Sequence, residues 1–186
     1  MKNYTLLLIS YSFSSFSGGI LGPIYAYFVL KVGGGILETA GAMAAFSIAG
    51  GIATFIVTRL NSSQRFNLWL LGIGWFFWVL SVTSYGFIDS VPKLLLAEIL
   101  SGLGSAFSTP VFDAEFSEES SQNLLIGWGN FEAITSIITG IAALVGGSIA
   151  YYFGFQALIH LMIVTAICSF AILLCYIKNK SAELHV

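Results

Sequence analysis

Two acidic residues lie where water is scarce. Glu98 falls inside the apolar run 92–111, which is long enough to cross a bilayer, and Glu132 falls inside the next run, 124–153. A carboxylate at the bilayer centre costs ~2.5–3.5 kcal/mol on insertion scales. Groups that carry such a cost face a bundle interior or a wet route, where they can hold a cation or take up and release a proton. At 1.5 Å per residue, Glu98 lies ~9 Å along its helix from Pro92 and Glu132 ~12 Å from Leu124. Acids at two depths suit a route that hands a cation or proton across the membrane. Each has a plainer reading. Glu98 could snorkel to the surface and pair with Lys93, and Glu132 could make a packing hydrogen bond with Asn130 or a nearby serine.

Other groups on the same runs could meet a solute. Tyr11, Tyr25 and Trp128 offer ring faces to a cationic or planar molecule, although such rings also serve as packing or interfacial anchors. Ser15, Ser105 and Ser136 offer hydroxyls. Asp113 and Glu115 close the fourth run, either as a solvated helix end or as a gate contacting Arg59 or Arg65. His160 is isolated and reads as a hydrogen-bonded helix histidine. No cofactor or metal site is expected.

Helices must position these groups. Six stretches approach the ~20 apolar residues that a spanning helix needs: 4–30, 38–57, 66–88, 92–111, 124–153 and 155–177. They are continuous rather than alternating, so they read as helices and not as barrel strands. Composition agrees. Of 186 residues 57% are hydrophobic and 9% charged, with a mean hydropathy of +0.90, against about 25% charged in soluble domains. The fold class is therefore an all-α membrane protein. A single transmembrane domain covers 1–177, and a short polar cytoplasmic tail covers 178–186. A net charge of −2 with no basic patch excludes a nucleic-acid partner. Cys168 and Cys175 sit about two turns apart on one helix, too far for a disulfide. The N-terminal run exceeds the 7–15 residues of a signal-peptide core, so it reads as a span.

Lys and Arg in the short loops set the orientation. Lys2, Arg59, Arg65, Lys178 and Lys180 fall on one side, and Lys31 and Lys93 on the other. Both termini of this multi-pass cell-membrane protein are expected in the cytoplasm. Polar stripes then sort inside from outside. Tyr11, Ser15, Gly18, Gly22 and Tyr25 share a face of the first helix. Glu98, Gly102, Ser105, Thr109 and Asp113 share one on the fourth, and Trp128, Glu132, Ser136 and Thr139 one on the fifth. The second carries Gly41, Ala45, Ala49 and Ala53, a stripe that permits close backbone approach. The aromatic third helix, with Trp69, Trp75 and Trp78, reads as lipid-facing, and the sixth is nearly as apolar.

Several short motifs occur in order along these helices. LLLAEILSGLGSA (94–106) has a Leu, a charged residue four later, a Gly-x-Gly and a small residue, at Leu94, Glu98, Gly102, Gly104 and Ala106. Arg59 and Arg65 follow the second helix, Gly146 and Gly147 lie in the fifth, and Pro23 lies late in the first. Together they resemble one half of a major facilitator superfamily transporter. The departures are specific. Glu98 replaces the usual Arg of the fourth-helix motif, so no Arg-based proton role carries over. Thr54 and Thr58 replace the Gly and Asp of the loop signature. Ala142 and Ala143 replace the Gly-Pro of the antiporter motif, so that motif does not support antiport.

The resemblance implies a secondary transporter that moves a small solute by alternating access, with proton coupling as an option. Members usually have two six-helix halves related by an axis along the membrane normal. Two copies of this chain, as a homodimer with the second and fifth helices at the seam, would obey the same symmetry. A heterodimer with another half-sized chain is also open. The expected partners are the lipid bilayer, a second copy and a small-molecule substrate. The alternatives are a non-transporting membrane partner that packs on another protein and, remotely, an intramembrane hydrolase using Ser105 and His160. No P-loop is present.

Overall fold

The computed structural model describes residues 2–59, 63–120 and 123–183. Residues 184–186 of the expected tail lie outside the described residues. Seven α-helices occur among the described residues: α1 (Lys2–Leu21), α2 (Tyr25–Lys31), α3 (Ile36–Val57), α4 (Gln64–Ser84), α5 (Val91–Glu119), α6 (Leu124–Tyr152) and α7 (Gly154–Glu183). They make six segments long and apolar enough to cross a membrane, α1 and α2 together forming the first. The fold is all-helical among the described residues, as the hydropathy pattern requires.

Three boundaries depart from the apolar runs, each for a local reason. Pro23 lacks a backbone N–H and crowds the preceding turn, so a short 3-10 turn, Gly22–Ile24, separates α1 from α2. Pro110 does not end α5, which runs on to Glu119 because Phe112, Glu115 and Phe116 are buried beyond it. The last helix likewise continues through 178–183. Lys180 is buried there and pairs with Glu118 at 3.0 Å and Glu119 at 2.9 Å. Tyr176 donates to Glu115 Oε2 at 2.6 Å in the same cluster. A hydropathy window cannot see these polar pairs because each joins α5 to α7.

Asn3 Nδ2 donates to Glu183 Oε1 at 3.0 Å, so both chain ends share one end of the bundle, the terminal end. Around the bundle the order of neighbours is α3, α5, α4, α7, α1, α6, with α6 also touching α7 and both α1 and α6 touching α5. Thus α3 and α6 sit at the two ends of an arc and bury the least surface, while α5 buries the most. The turn between α6 and α7 is one of the tightest. Gly154 adopts φ +82°, a conformation that favours glycine, and reverses the chain there.

Glycines set the closest crossings. Residues two apart on a helix point about 200° apart, so Gly102 and Gly104 open opposite sides of α5. A Cβ on Gly102 would strike the Phe46 carbonyl of α3, and one on Gly104 would lie 3.0 Å from the Gly74 carbonyl of α4. Between α1 and α6, a Cβ on Gly146 would strike the Ile20 carbonyl. The small-residue stripe expected on the second helix is offset. The tight contact is Gly50 against Gly102, while open space lies beside Gly41. The third helix also departs from expectation. Trp69 is exposed as a lipid-facing residue would be, but Trp75 is buried and donates to Ser169 Oγ at 2.8 Å. Ser10 and Ser169 exchange hydroxyl-to-carbonyl bonds at 2.9 and 2.7 Å, clasping α1 to α7.

Two stability outcomes follow. Gly146→Ala should lower the unfolding temperature in mild detergent, since overpacking costs ~1–3 kcal/mol. Gly147→Ala, with open space beside it, should be neutral or gain up to ~1 kcal/mol of helix propensity. Equal unfolding temperatures would contradict the crossing. Lys180→Met should destabilise by ~3–5 kcal/mol, the usual cost of removing one partner of a buried pair. The exposed Lys178→Met is the control for that measurement.

Candidate functional site

The concave side of the arc holds an open cleft in two lobes. The near lobe, toward the terminal end, has a volume of about 220 Å³ and is lined by α1, α4 and α5 through Tyr11, Ser15, Trp75, Ser105 and Thr109. The far lobe, of about 470 Å³, is lined by Tyr25, Met43, Tyr85 and Glu98, among others. Gly18, Phe46, Trp78 and Ser101 line both lobes, so the lobes adjoin. The glycines at the crossings keep backbones close behind the cleft, and the side chains on its walls are mainly aromatic or hydroxylic.

Glu98 is 8% exposed and lines the far lobe. Tyr25 donates to its Oε1 at 2.6 Å, and Tyr85 donates to the same oxygen. The snorkelling alternative fails: Lys93 instead pairs with Asp89 at 2.6 Å. That bond holds the exposed Asp89 carboxyl below its usual range. Three separate elements meet at Glu98. Pro23 sets Tyr25 at the start of α2, the 3-10 turn ending the third span carries Tyr85, and α5 carries the carboxylate. Hydrogen bonds to a charged group contribute ~1.5–3 kcal/mol each, enough to offset much of the cost of keeping the acid among apolar side chains.

The other expected site residues separate into groups. Tyr11, Ser15, Ser105 and Tyr25 line the cleft with Glu98. Ser105 and Thr109 hydroxyls lie 3.2 Å apart. Glu132 and Ser136 are exposed on α6 and line neither lobe. Trp128 packs against Phe116 and Phe131 and donates to Ser117 Oγ at 3.3 Å, so in this chain it is a packing ring. The gate contacts are not formed. Arg59 stacks on Phe55 at 3.3 Å and donates to its carbonyl at 2.7 Å, and Asp113 is exposed. Glu115 binds Tyr176 and faces Lys180 rather than either arginine. His160 lies on the outer face with Nδ1 2.7 Å from the Gln156 carbonyl, and Ser105 is engaged with Thr109, so the Ser–His pair of a hydrolase is not assembled.

Two further residues line the cleft, Tyr85 and Trp78. Tyr85 ends an apolar aromatic run and looks like an interfacial anchor, because its partner lies on another helix. Trp78 belongs to the aromatic stretch whose sequence reads as lipid-facing. Its indole Nε1 is buried without a hydrogen-bond partner, a state that costs ~1–3 kcal/mol. The spacing of Trp75 and Trp78, three residues apart, is the signal that both share an inward face.

The cleft, the six spans and the Gly-x-Gly crossing bear on ancestry as well as chemistry. The chain is 26% identical to an uncharacterized MFS-type transporter of Methanocaldococcus jannaschii, over 98% of its own length and 48% of that protein's. It therefore spans about half the length of that curated relative. The sequence profile of the Major Facilitator Superfamily matches residues 7–185, nearly the whole chain, and the chain belongs to that superfamily.

Proposed function

We propose that this protein is one half of a secondary transporter for a small solute, which works by alternating access around the cleft. The observation that carries the reading is Glu98: a carboxylate placed inside the membrane, turned away from lipid and into an open, partly hydroxyl-lined lobe. Superfamily membership and the transporter relative support it. The second half is supplied by another copy, forming a parallel homodimer in the cell membrane with both termini in the cytoplasm. In support, α3 and α6 flank the cleft and leave Ile48, Ile52, Ile137 and Leu144 exposed. In the pair, Glu132 and Ser136 of α6 would sit beside the shared cavity. Glu98 would carry the proton in coupled transport, exchanging it as Tyr25 and Tyr85 form and release their bonds.

Two measurements test this reading. Ile48 and Ile137 lie near the middles of α3 and α6. In a Cys168→Ser/Cys175→Ser background, a chain carrying Ile48→Cys and Ile137→Cys should oxidise to a covalent dimer in lipid. A chain that stays monomeric by this route and by native mass would overturn the homodimer. In proteoliposomes, wild-type protein should acidify the lumen when a transported solute is supplied with an inward proton gradient. Glu98→Gln should reduce that signal at least ten-fold. Full proton-coupled uptake by the variant would remove Glu98 from the coupling role.

A further inference from the structure

The outer side of the bundle carries a recess that shares no residue with the cleft. It is a furrow of about 310 Å³ between α4 and α7. Its walls are hydrocarbon and aromatic, with Trp69, Gly72 and Phe76 on α4 and Phe170, Leu174 and Ile177 on α7. Gly72 gives it depth: a Cβ there would stand 3.4 Å from Ile177 Cδ1, and a longer side chain would occupy the furrow. Trp69, Phe76 and Leu174 are exposed, so it opens outward. The Phe76 and Phe170 rings lie 6.5 Å apart and Gly72 meets Ile177, so α4 and α7 run antiparallel. Counted from the ring pair, Lys178 is level with Leu68, and Arg65 stands about 4.5 Å further on. Both cations are exposed. Arg65 precedes Gly72 by two turns on one helical stripe, and Lys178 follows Leu174 by one turn. They stand at the terminal mouth of the furrow, where the apolar run 66–88 begins and the run 155–177 ends. Lys180 points about 200° away from Lys178, so the acids that hold Lys180 lie toward another side of α7.

We propose that this furrow binds an anionic phospholipid: one acyl chain lies along its walls, and Arg65 and Lys178 hold the phosphate at its mouth. An apolar furrow that ends in two cations at the hydrocarbon boundary matches an amphiphile with an anionic head. The arginine fork suits phosphate oxygens, and the lysine adds a point charge. Trp69, exposed one turn along from Arg65, sits at the depth where indoles lie among headgroups. A zwitterionic lipid fills the furrow equally well, but its head brings a cation of its own toward Arg65 and Lys178. A second copy of the chain fits worse. A two-fold contact sets one patch against itself, so each of these cations would face its own like. The furrow lies outside the cleft, and its occupant does not depend on what the cleft carries.

Native mass spectrometry reads which lipid stays with the full chain. The chain is released from nanodiscs that hold equal parts of phosphatidylglycerol and phosphatidylcholine with the same acyl chains. Phosphatidylglycerol should be retained over phosphatidylcholine by about ten-fold or more, the effect expected of two cations at a membrane surface. Arg65→Gln with Lys178→Gln should bring the two lipids to parity. Gly72→Leu leaves both cations in place and should release the retained lipid of either kind. If Gly72→Leu does not fold, Ile73→Trp fills the furrow from its exposed rim and should have the same effect. sn-Glycerol 1-phosphate, which has the anionic head without the chains, should leave the retained lipid in place. The assignment is overturned if the wild type retains both lipids equally, or if the charge variant keeps the preference. It is also overturned if the filled furrow still retains lipid, or if glycerol phosphate displaces it, which would make this an anion site without need of a chain. A dimer that is lost when the furrow is filled would give the face to a second copy instead.

Discussion

A carboxylate in hydrocarbon must find partners or lose its place, and Glu98 finds two phenols. One comes from α2 and one from the turn that ends the third span, so the acid ties three parts of the chain at one point. Much of the far half of the bundle is organised by that need. Pro23 breaks the first span where Tyr25 must turn inward, and the third span ends in a 3-10 turn that carries Tyr85. Apolar side chains, among them Ile20, Val82 and Leu158, fill the core behind these groups. The bonds replace hydration that the acid has given up, and they leave its second oxygen available to the cleft.

The terminal end solves the same problem differently. There a buried cation, Lys180, sits among Glu115, Glu118 and Glu119, and Tyr176 completes the set. Buried ion pairs are weak sources of stability but costly to break, so this cluster fixes how α5 and α7 meet. One end of the bundle thus has an acid satisfied by neutral donors and facing a cavity. The other has a buried lysine whose charge is met by nearby carboxylates.

The number and kind of helices were legible from hydropathy alone, because hydrocarbon thickness sets both. Glu98 was legible as an inward residue, because a carboxylate inside a membrane-spanning run has few affordable places. The same logic applied to Glu132 led to a residue that is exposed in this chain. The logic tells only that a group avoids lipid, not which surface shelters it, and α6 lies at the edge of the arc. What the sequence hid were pairings between helices. Tyr85, Trp78 and the Ser10–Ser169 clasp look unremarkable on their own segments. The helical stretches 112–119 and 178–183 looked like polar ends because Glu115, Glu118, Glu119 and Lys180 meet only across the α5–α7 contact.

The back-to-back glycines of α5 limit how the bundle can move. With backbone pressed on backbone at Gly102 on one side and Gly104 on the other, α5 has no slack to twist about its axis or slide past α3 and α4. Close packing on both sides joins these three helices into one block. A rearrangement that changes access to the cleft without opening these seams is left to rocking of whole blocks.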